Sequence, residues 1–292
     1  MTKNICENEW RSMERRRADA LPHELGAAFA RRATDQAPEE SLLLQPGCEV
    51  EGVNINLPTI RDARVEVIKR ARLERGFSLF TLNLDHLAKI RNNSRFRRAY
   101  KRADLVSADG WPVVWLANRR GRRLWRTCGS DLVEPVCVSA AKNGTPLFFI
   151  GPESESQAAA IAVLKTRYPT LKVAGTNAAR ISNEVADDEV RAIAAAVKAS
   201  GARLCFICLG APKQELLADA LAPMCRDVGF MCVGAGLDFI SGRARRAPRW
   251  FQRAGLEWLW RLLGNPTQLA GRYARGAHAF SLIVLKSIFA PK

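Results

Sequence analysis

Six short apolar runs constrain this chain more than any other feature of its sequence: FSLFT (77–81), DLVS (104–107), PLFFI (146–150), KVAGT (172–176), RLCFICLG (203–210) and GFMCVG (229–234). Each is bounded by turn-forming or polar residues, and most are apolar at nearly every position. Strands of that texture are covered on both faces, as in a parallel sheet. Helical periodicity fills the intervals, at residues 63–74, 85–92, 112–118, 131–141, 156–168, 187–199 and 213–222. Strand–helix alternation of this kind predicts an α/β fold, a mostly parallel sheet with helices on both faces. With 292 residues, 48% of them apolar, the chain is long enough for one large α/β domain and is not disordered as a whole.

The texture changes at both ends. Residues 1–50 carry 7 basic and 9 acidic residues and turn-prone breaks at Pro22, Pro38 and Pro46, which predicts a partly disordered N-terminal extension. Residues 51–242 form the α/β core. Residues 243–292 hold 10 Lys or Arg against the single acid Glu257, with Trp250, Phe251, Trp258, Trp260 and Tyr273 among them, and are expected to form a short helical, basic and aromatic appendage. The whole chain bears 45 basic and 29 acidic side chains, a net +16, so an anionic partner is expected: nucleic acid, phosphorylated substrate or anionic lipid. The polar start has no signal-peptide character, and AFSLIVLKSIF near the end is too short to span a bilayer, which places the protein in the cytosol or on the inner face of a membrane.

Eight cysteines suggest no disulfide framework, because Cys205, Cys208 and Cys232 sit within apolar runs. The Cys205–Cys208 pair has CxxC spacing but no second pair, so core packing is favoured over metal or redox use. The acidic run Asp187-Asp188-Glu189 suits a helix start, and no metal site is expected.

Candidate site residues cluster where predicted strands end. Ile150-Gly151-Pro152, Leu209-Gly210-Ala211-Pro212 and Val233-Gly234-Ala235-Gly236 are glycine turns of the kind that bring backbone N–H groups close to a phosphate, although glycine also serves purely steric needs there. Together they favour a nucleotide or nucleotide-sugar ligand at the carboxyl edge of the sheet. Neither GxGxxG after the first strand nor GxxxxGK[ST] is present. Asp109 follows a buried strand, where it suits either a general base or a cap for the helix near Pro112. Thr81 and Asn83 suit sugar hydroxyls or a cap for the helix at Asp85. Lys213 and Gln214 open a helix after Pro212, and Asp238 is similarly placed after Gly236.

The segments TLNLDHL (81–87), ADLVSADGWPVVW (103–115), RTCGSDL (126–132), FFIG (148–151), LGAPKQE (209–215), GAGLDFISGRARRAPRW (234–250) and GLEWLWRLLGNP (255–266) resemble, in this order, the WecG/TagA/CpsF family of bacterial glycosyltransferases. The resemblance covers roughly residues 53–273. It implies a Rossmann-like core and an inverting, metal-independent enzyme that needs no cofactor. Such an enzyme moves a hexose or N-acetylhexosamine-type sugar from a UDP-sugar to a polyprenyl-diphosphate-linked acceptor during cell-surface or exopolysaccharide synthesis.

Under that resemblance Asp109 is the general base. Thr81, Asn83 and Gln214 match its substrate-binding positions, and Arg243, Arg246 and Arg253 best match the arginines that meet the diphosphate; Gly151, Gly210, Lys213, Gly234, Gly236 and Asp238 join the expected substrate lining from their place after strands. The implied partners are a UDP-sugar, a lipid-linked sugar acceptor and an anionic membrane surface, not nucleic acid. The sequence departs from the family in its N-terminal extension and in Asn265, where a glutamate is common. Two readings compete with the enzyme: a nucleic-acid-binding protein, suggested by the interleaved Trp and Arg, and a non-catalytic peripheral scaffold of a polysaccharide assembly complex.

Overall fold

The computed structural model describes residues 47–119, 123–178, 181–182, 186–244, 247–248, 251, 257–264, 267, 271 and 281. Residues 1–46 of the expected N-terminal extension, Arg246 and Arg253 therefore lie outside the described residues, as do Trp250, Asn265, Phe289 and the side chain of Trp258.

A hairpin comes first, β1 (Cys48–Val50) and β2 (Val53–Ile55), antiparallel with Val50 opposite Val53. The expected start of the core at residue 51 falls at its turn, and both arms are buried against the core: Cys48, Val50, Val53 and Ile55 are all at most 4% exposed. Short, alternating and flanked by charge, the hairpin leaves little sequence signal. After it come α1 (Ile60–Arg72), β3 (Phe77–Leu82), α2 (Leu84–Asn92), α3 (Ser94–Arg102), β4 (Leu105–Ala108), α4 (Trp111–Asn118) and α5 (Gly129–Asn143). The second half runs β5 (Leu147–Ile150), α6 (Ser154–Arg167), β6 (Val173–Asn177), α7 (Asp187–Ala199), β7 (Leu204–Ile207), α8 (Lys213–Leu221), β8 (Gly229–Cys232), α9 (Gly236–Ile240) and α10 (Glu257–Gly264).

All six strands from β3 to β8 join one parallel sheet, in the order β4-β3-β8-β7-β5-β6. Side chains alternate between two cores, as a period of two requires. Phe80, Val106, Phe148, Cys205 and Phe230 face one core with the hairpin, α2, α3, α4, α7 and α8; Leu79, Leu105, Phe149, Phe206 and Met231 face the other with α1, α5, α6 and α9. This is the Rossmann-like α/β sandwich expected. At the β4 edge, Asn56 and Leu57 donate backbone N–H bonds to Val106 O, and Asn56 Oδ1 accepts from Val106 N at 2.8 Å, so the outer edge of β4 is covered.

Helix α3, like the hairpin and the short α9, is missing from the elements that the apolar pattern predicts. Its nine residues, SRFRRAYKR, read as a charge run, yet Phe96, Ala99 and Tyr100 fall at i, i+3 and i+4 and are buried. The strand expected over 203–210 is shorter, Leu204–Ile207, because Gly210 and Pro212 turn the chain into α8.

Candidate active site

The sheet places the candidate residues through the direction of its crossovers. Helix α2 leaves β3 toward one core, whereas α9 leaves the adjacent strand β8 toward the other. Neighbouring strands whose chains diverge open a crevice beyond their carboxyl ends. Asp109 follows β4, Asn83 follows β3, Gly234 follows β8 and Gly210 follows β7, so four adjacent strands deliver them to one edge.

On the β3–β4 side, Asn83 is the N-cap of α2, its Oδ1 accepting from His86 N at 3.0 Å. That bond fixes the amide orientation and turns Nδ2 toward Asp109 Oδ2, 3.5 Å away, and His86 Nε2, 3.4 Å away. Both readings of Asn83, cap and site residue, are thus compatible in one rotamer. Beside Asp109, the cap position of α4 falls to Gly110, at φ 98°, a conformation that suits glycine. The half-buried carboxylate of Asp109 meets Asn83, while its own N–H donates to Leu82 O at 2.8 Å. Thr81 is buried, and its carbonyl accepts from Tyr100 Oη at 3.2 Å. Beside β4, Thr127 N donates to Ala108 O at 2.7 Å, which sets Arg126, ion-paired to Asp131 at 3.1 Å, next to the same edge.

On the β7–β8 side, Gly234 N donates to Gln214 Oε1 at 3.0 Å, and Gln214 Nε2 donates to Glu215 Oε1 at 2.8 Å. Gly234 has φ 56° and, like Gly210, open space where a Cβ would project. Gly151 and Gly236 meet steric demands instead. A Cβ on Gly151 would lie 2.7 Å from Leu209 Cδ2, and one on Gly236 would lie 2.6 Å from Val133 Cγ2. Lys213 Nζ donates to Ile181 O at 3.0 Å. Asp238 accepts from Ser156 Oγ at 2.7 Å, tying α9 to α6, and the exposed Arg243 pairs with Glu153 at 2.9 Å.

Three residues that sequence reasoning did not single out join the two sides. His86 Nδ1 lies 2.7 Å from Tyr100 Oη and 4.0 Å from Glu215 Oε1. Glu215 is fully buried, its Oε2 has no hydrogen-bond partner among the described residues, and burial pushes its carboxyl up to about 7. Burial, and then the adjacent Glu215, push the Tyr100 phenol and the Cys232 thiol upward as well. His86 and Glu215 stand inside the motifs TLNLDHL and LGAPKQE, but a single polar residue in an apolar helix face gives no sign of its partner.

Cys205 and Cys208 face opposite cores, both raised by burial, so the CxxC pair is core packing. Among the described residues no group of three or more His, Cys, Asp or Glu is arranged to hold a metal ion, and no helix is long and apolar enough to cross a membrane.

The Rossmann-like sheet thus brings a carboxylate, an aligned amide and open glycine turns to one edge, beside its topological switch point. The model of the WecG/TagA/CpsF family of glycosyl transferases matches residues 48–292, and the chain belongs to that family. The match begins at the first residue of β1, so the hairpin is part of the family unit.

Proposed function

We propose that this glycosyltransferase moves a hexose or N-acetylhexosamine-type sugar from a UDP-sugar to a polyprenyl-diphosphate-linked acceptor, with inversion and without a metal ion, in bacterial cell-surface or exopolysaccharide synthesis. The observation that carries the reading is the approach of Asn83 Nδ2 to Asp109 Oδ2 at the carboxyl edge of β3 and β4, in a chain of this family.

In the proposed reaction Asp109 takes the proton of the acceptor hydroxyl as its oxygen bonds the anomeric carbon. The bond from that carbon to the UDP oxygen breaks on the opposite face. Asn83 keeps the carboxylate oriented toward the acceptor. The leaving diphosphate draws on the open backbone at Gly210 and Gly234, the N-terminal end of α8 and its Lys213, with Gln214 anchoring the Gly234 turn. Thr81, Gly151, Gly236 and Asp238 are assigned to the same substrate-lining edge. Arg243, Arg246 and Arg253 are assigned to the diphosphate and, with the rest of residues 243–292, to an anionic membrane surface at the cytoplasmic face. The core spans the α/β unit, flanked by an N-terminal extension and this appendage.

The test is UDP release by the purified full chain from a panel of UDP-hexoses, UDP-N-acetylhexosamines and their uronic acids, with and without a short polyprenyl-diphosphate-sugar acceptor, and with EDTA. Acceptor-dependent release that EDTA leaves unchanged supports the reading. No release from any donor assigns the chain to a non-catalytic role, and strong EDTA inhibition restores a metal mechanism.

A further inference from the structure

The hydrogen bonds around Asn83 admit one arrangement of donors. Asn83 Oδ1 is committed to His86 N at 3.0 Å, so both hydrogens on Nδ2 face the other way, toward Asp109 Oδ2 at 3.5 Å and His86 Nε2 at 3.4 Å. Nε2 can accept only if it carries no proton, which puts the proton of a neutral ring on Nδ1. There Nδ1–H donates to Tyr100 Oη at 2.7 Å, and the phenol O–H passes on to Thr81 O at 3.2 Å. The other tautomer, or the imidazolium, would set an N–H of the ring against the amide NH₂ and push Asn83 off Asp109. The ring is 3% exposed and is wedged edge-on against Phe96, with centroids 5.7 Å apart at 90°.

We propose that His86 is a positioning residue: its ring, neutral and protonated on Nδ1, accepts from the Asn83 amide and so holds that amide on Asp109. The inference rests on the reading of Asp109 as the base, and extends it to a buried side chain one hydrogen bond removed from it. It also gives a reason for a tyrosine on α3, since Tyr100 selects the tautomer that the active edge requires.

Two measurements test it. The chain has three histidines, so the double variant His23→Gln/His278→Gln leaves His86 alone in a ¹⁵N-histidine spectrum. A neutral ring with a bare Nε2 and a protonated Nδ1 is expected at neutral pH; the opposite tautomer or an imidazolium overturns the proposal. The second compares amides that stand in for one ring nitrogen each. His86→Gln keeps an acceptor near Nε2 and should hold kcat within threefold, whereas His86→Asn keeps only the Nδ1 side and should lose at least tenfold. The donor KM should stay within threefold in both, with UDP release read on the best donor of the panel and thermal unfolding recorded alongside. Wild-type kcat in His86→Asn, or parallel loss in both variants, overturns the role. Asp109→Asn in the same assay separates the two readings. If it is inactive while His86→Asn is fully active, only the His86 role fails; if it is active, the base assignment fails, and with it the step through which His86 acts.

Discussion

Asn83 is both the cap of α2 and the neighbour of Asp109: the same side chain accepts from His86 N at 3.0 Å and aims its amide at Asp109 Oδ2. A cap cannot swing away without releasing an N–H at the start of its helix, so the helix itself restricts where the amide points. The site is therefore anchored on regular structure. The strand β3 brings Asn83 to the edge, β4 brings Asp109 beside it, and the parallel register of Leu82 with Ala108 sets the spacing between them.

Replacing Asp109 with Asn tests the carboxylate as a base. An amide keeps the volume and can still meet Asn83 through its oxygen, but it cannot take the acceptor's proton. The turnover rate should fall by about 10²–10⁴ while UDP affinity stays within threefold, measured by UDP release and calorimetric titration. A rate within threefold of wild type would move the base to another group.

Glu215 makes stability depend on pH. Its carboxyl is raised by burial from an ordinary value near 4.5 to about 7, so between those values the folded state holds a proton that the unfolded state has lost. Stability from this group is complete at the acid end and declines as pH rises from about 4.5 to 7. The Glu215→Gln variant keeps an acceptor for Gln214 and has no such titration. Each tenfold difference in proton affinity between the folded and unfolded chain is worth about 1.4 kcal/mol, so wild type should lose about 3 kcal/mol relative to the variant between pH 4.5 and pH 8. Paired urea melts across that range measure it; a constant difference between the two proteins would place the titration of Glu215 elsewhere.

The six strands of the parallel sheet and most helices were legible in the sequence because both cores demand unbroken apolar runs such as LFFI and LCFI, and their glycine turns are local signals. Asp109, Asn83, Gln214 and Gly234 could be nominated from their positions after strands. Their partners could not. That Asn83 meets Asp109 depends on β3 and β4 being adjacent, and that His86 meets Tyr100 and lies close to Glu215 depends on α3 and α8 packing against the same face as α2. Helix α3 was hidden for a related reason: its buried side consists of only Phe96, Ala99 and Tyr100 within a run of arginines. Asp238 could likewise be nominated by its place after Gly236, but that its carboxylate accepts from Ser156 depends on α6 packing on α9.

Gln214 links the Gly234 turn to the buried network. In Gln214→Leu the N–H of Gly234 loses its acceptor and Glu215 loses its amide donor, while the side-chain volume is nearly kept. An unsatisfied polar group of this kind costs about 1–3 kcal/mol, visible as a lower urea midpoint at unchanged slope. The released turn should also weaken UDP binding at least fivefold by calorimetry. Unchanged UDP affinity would remove Gln214 and Gly234 from the donor site.

Membrane attachment should be ionic and therefore sensitive to salt. After Gly242 the sequence has 10 basic residues and one acid, and α3 adds Arg95, Arg97, Arg98 and Lys101 on an exposed face. Each basic side chain near an anionic bilayer contributes about 1 kcal/mol, within a screening length that shrinks from about 10 Å at 0.1 M salt to about 3 Å at 1 M. The full chain should sediment with vesicles containing anionic phospholipid at low salt, be mostly released at 1 M, and ignore vesicles of neutral phosphatidylcholine. Retention at 1 M would instead indicate anchoring by apolar side chains, for which Trp250, Trp258 and Phe289 are the candidates in the sequence. A single-stranded oligonucleotide column run in the same buffers supplies the counter-test. Stronger salt-resistant retention there than on anionic vesicles would make the excess positive charge a nucleic-acid surface rather than a membrane one.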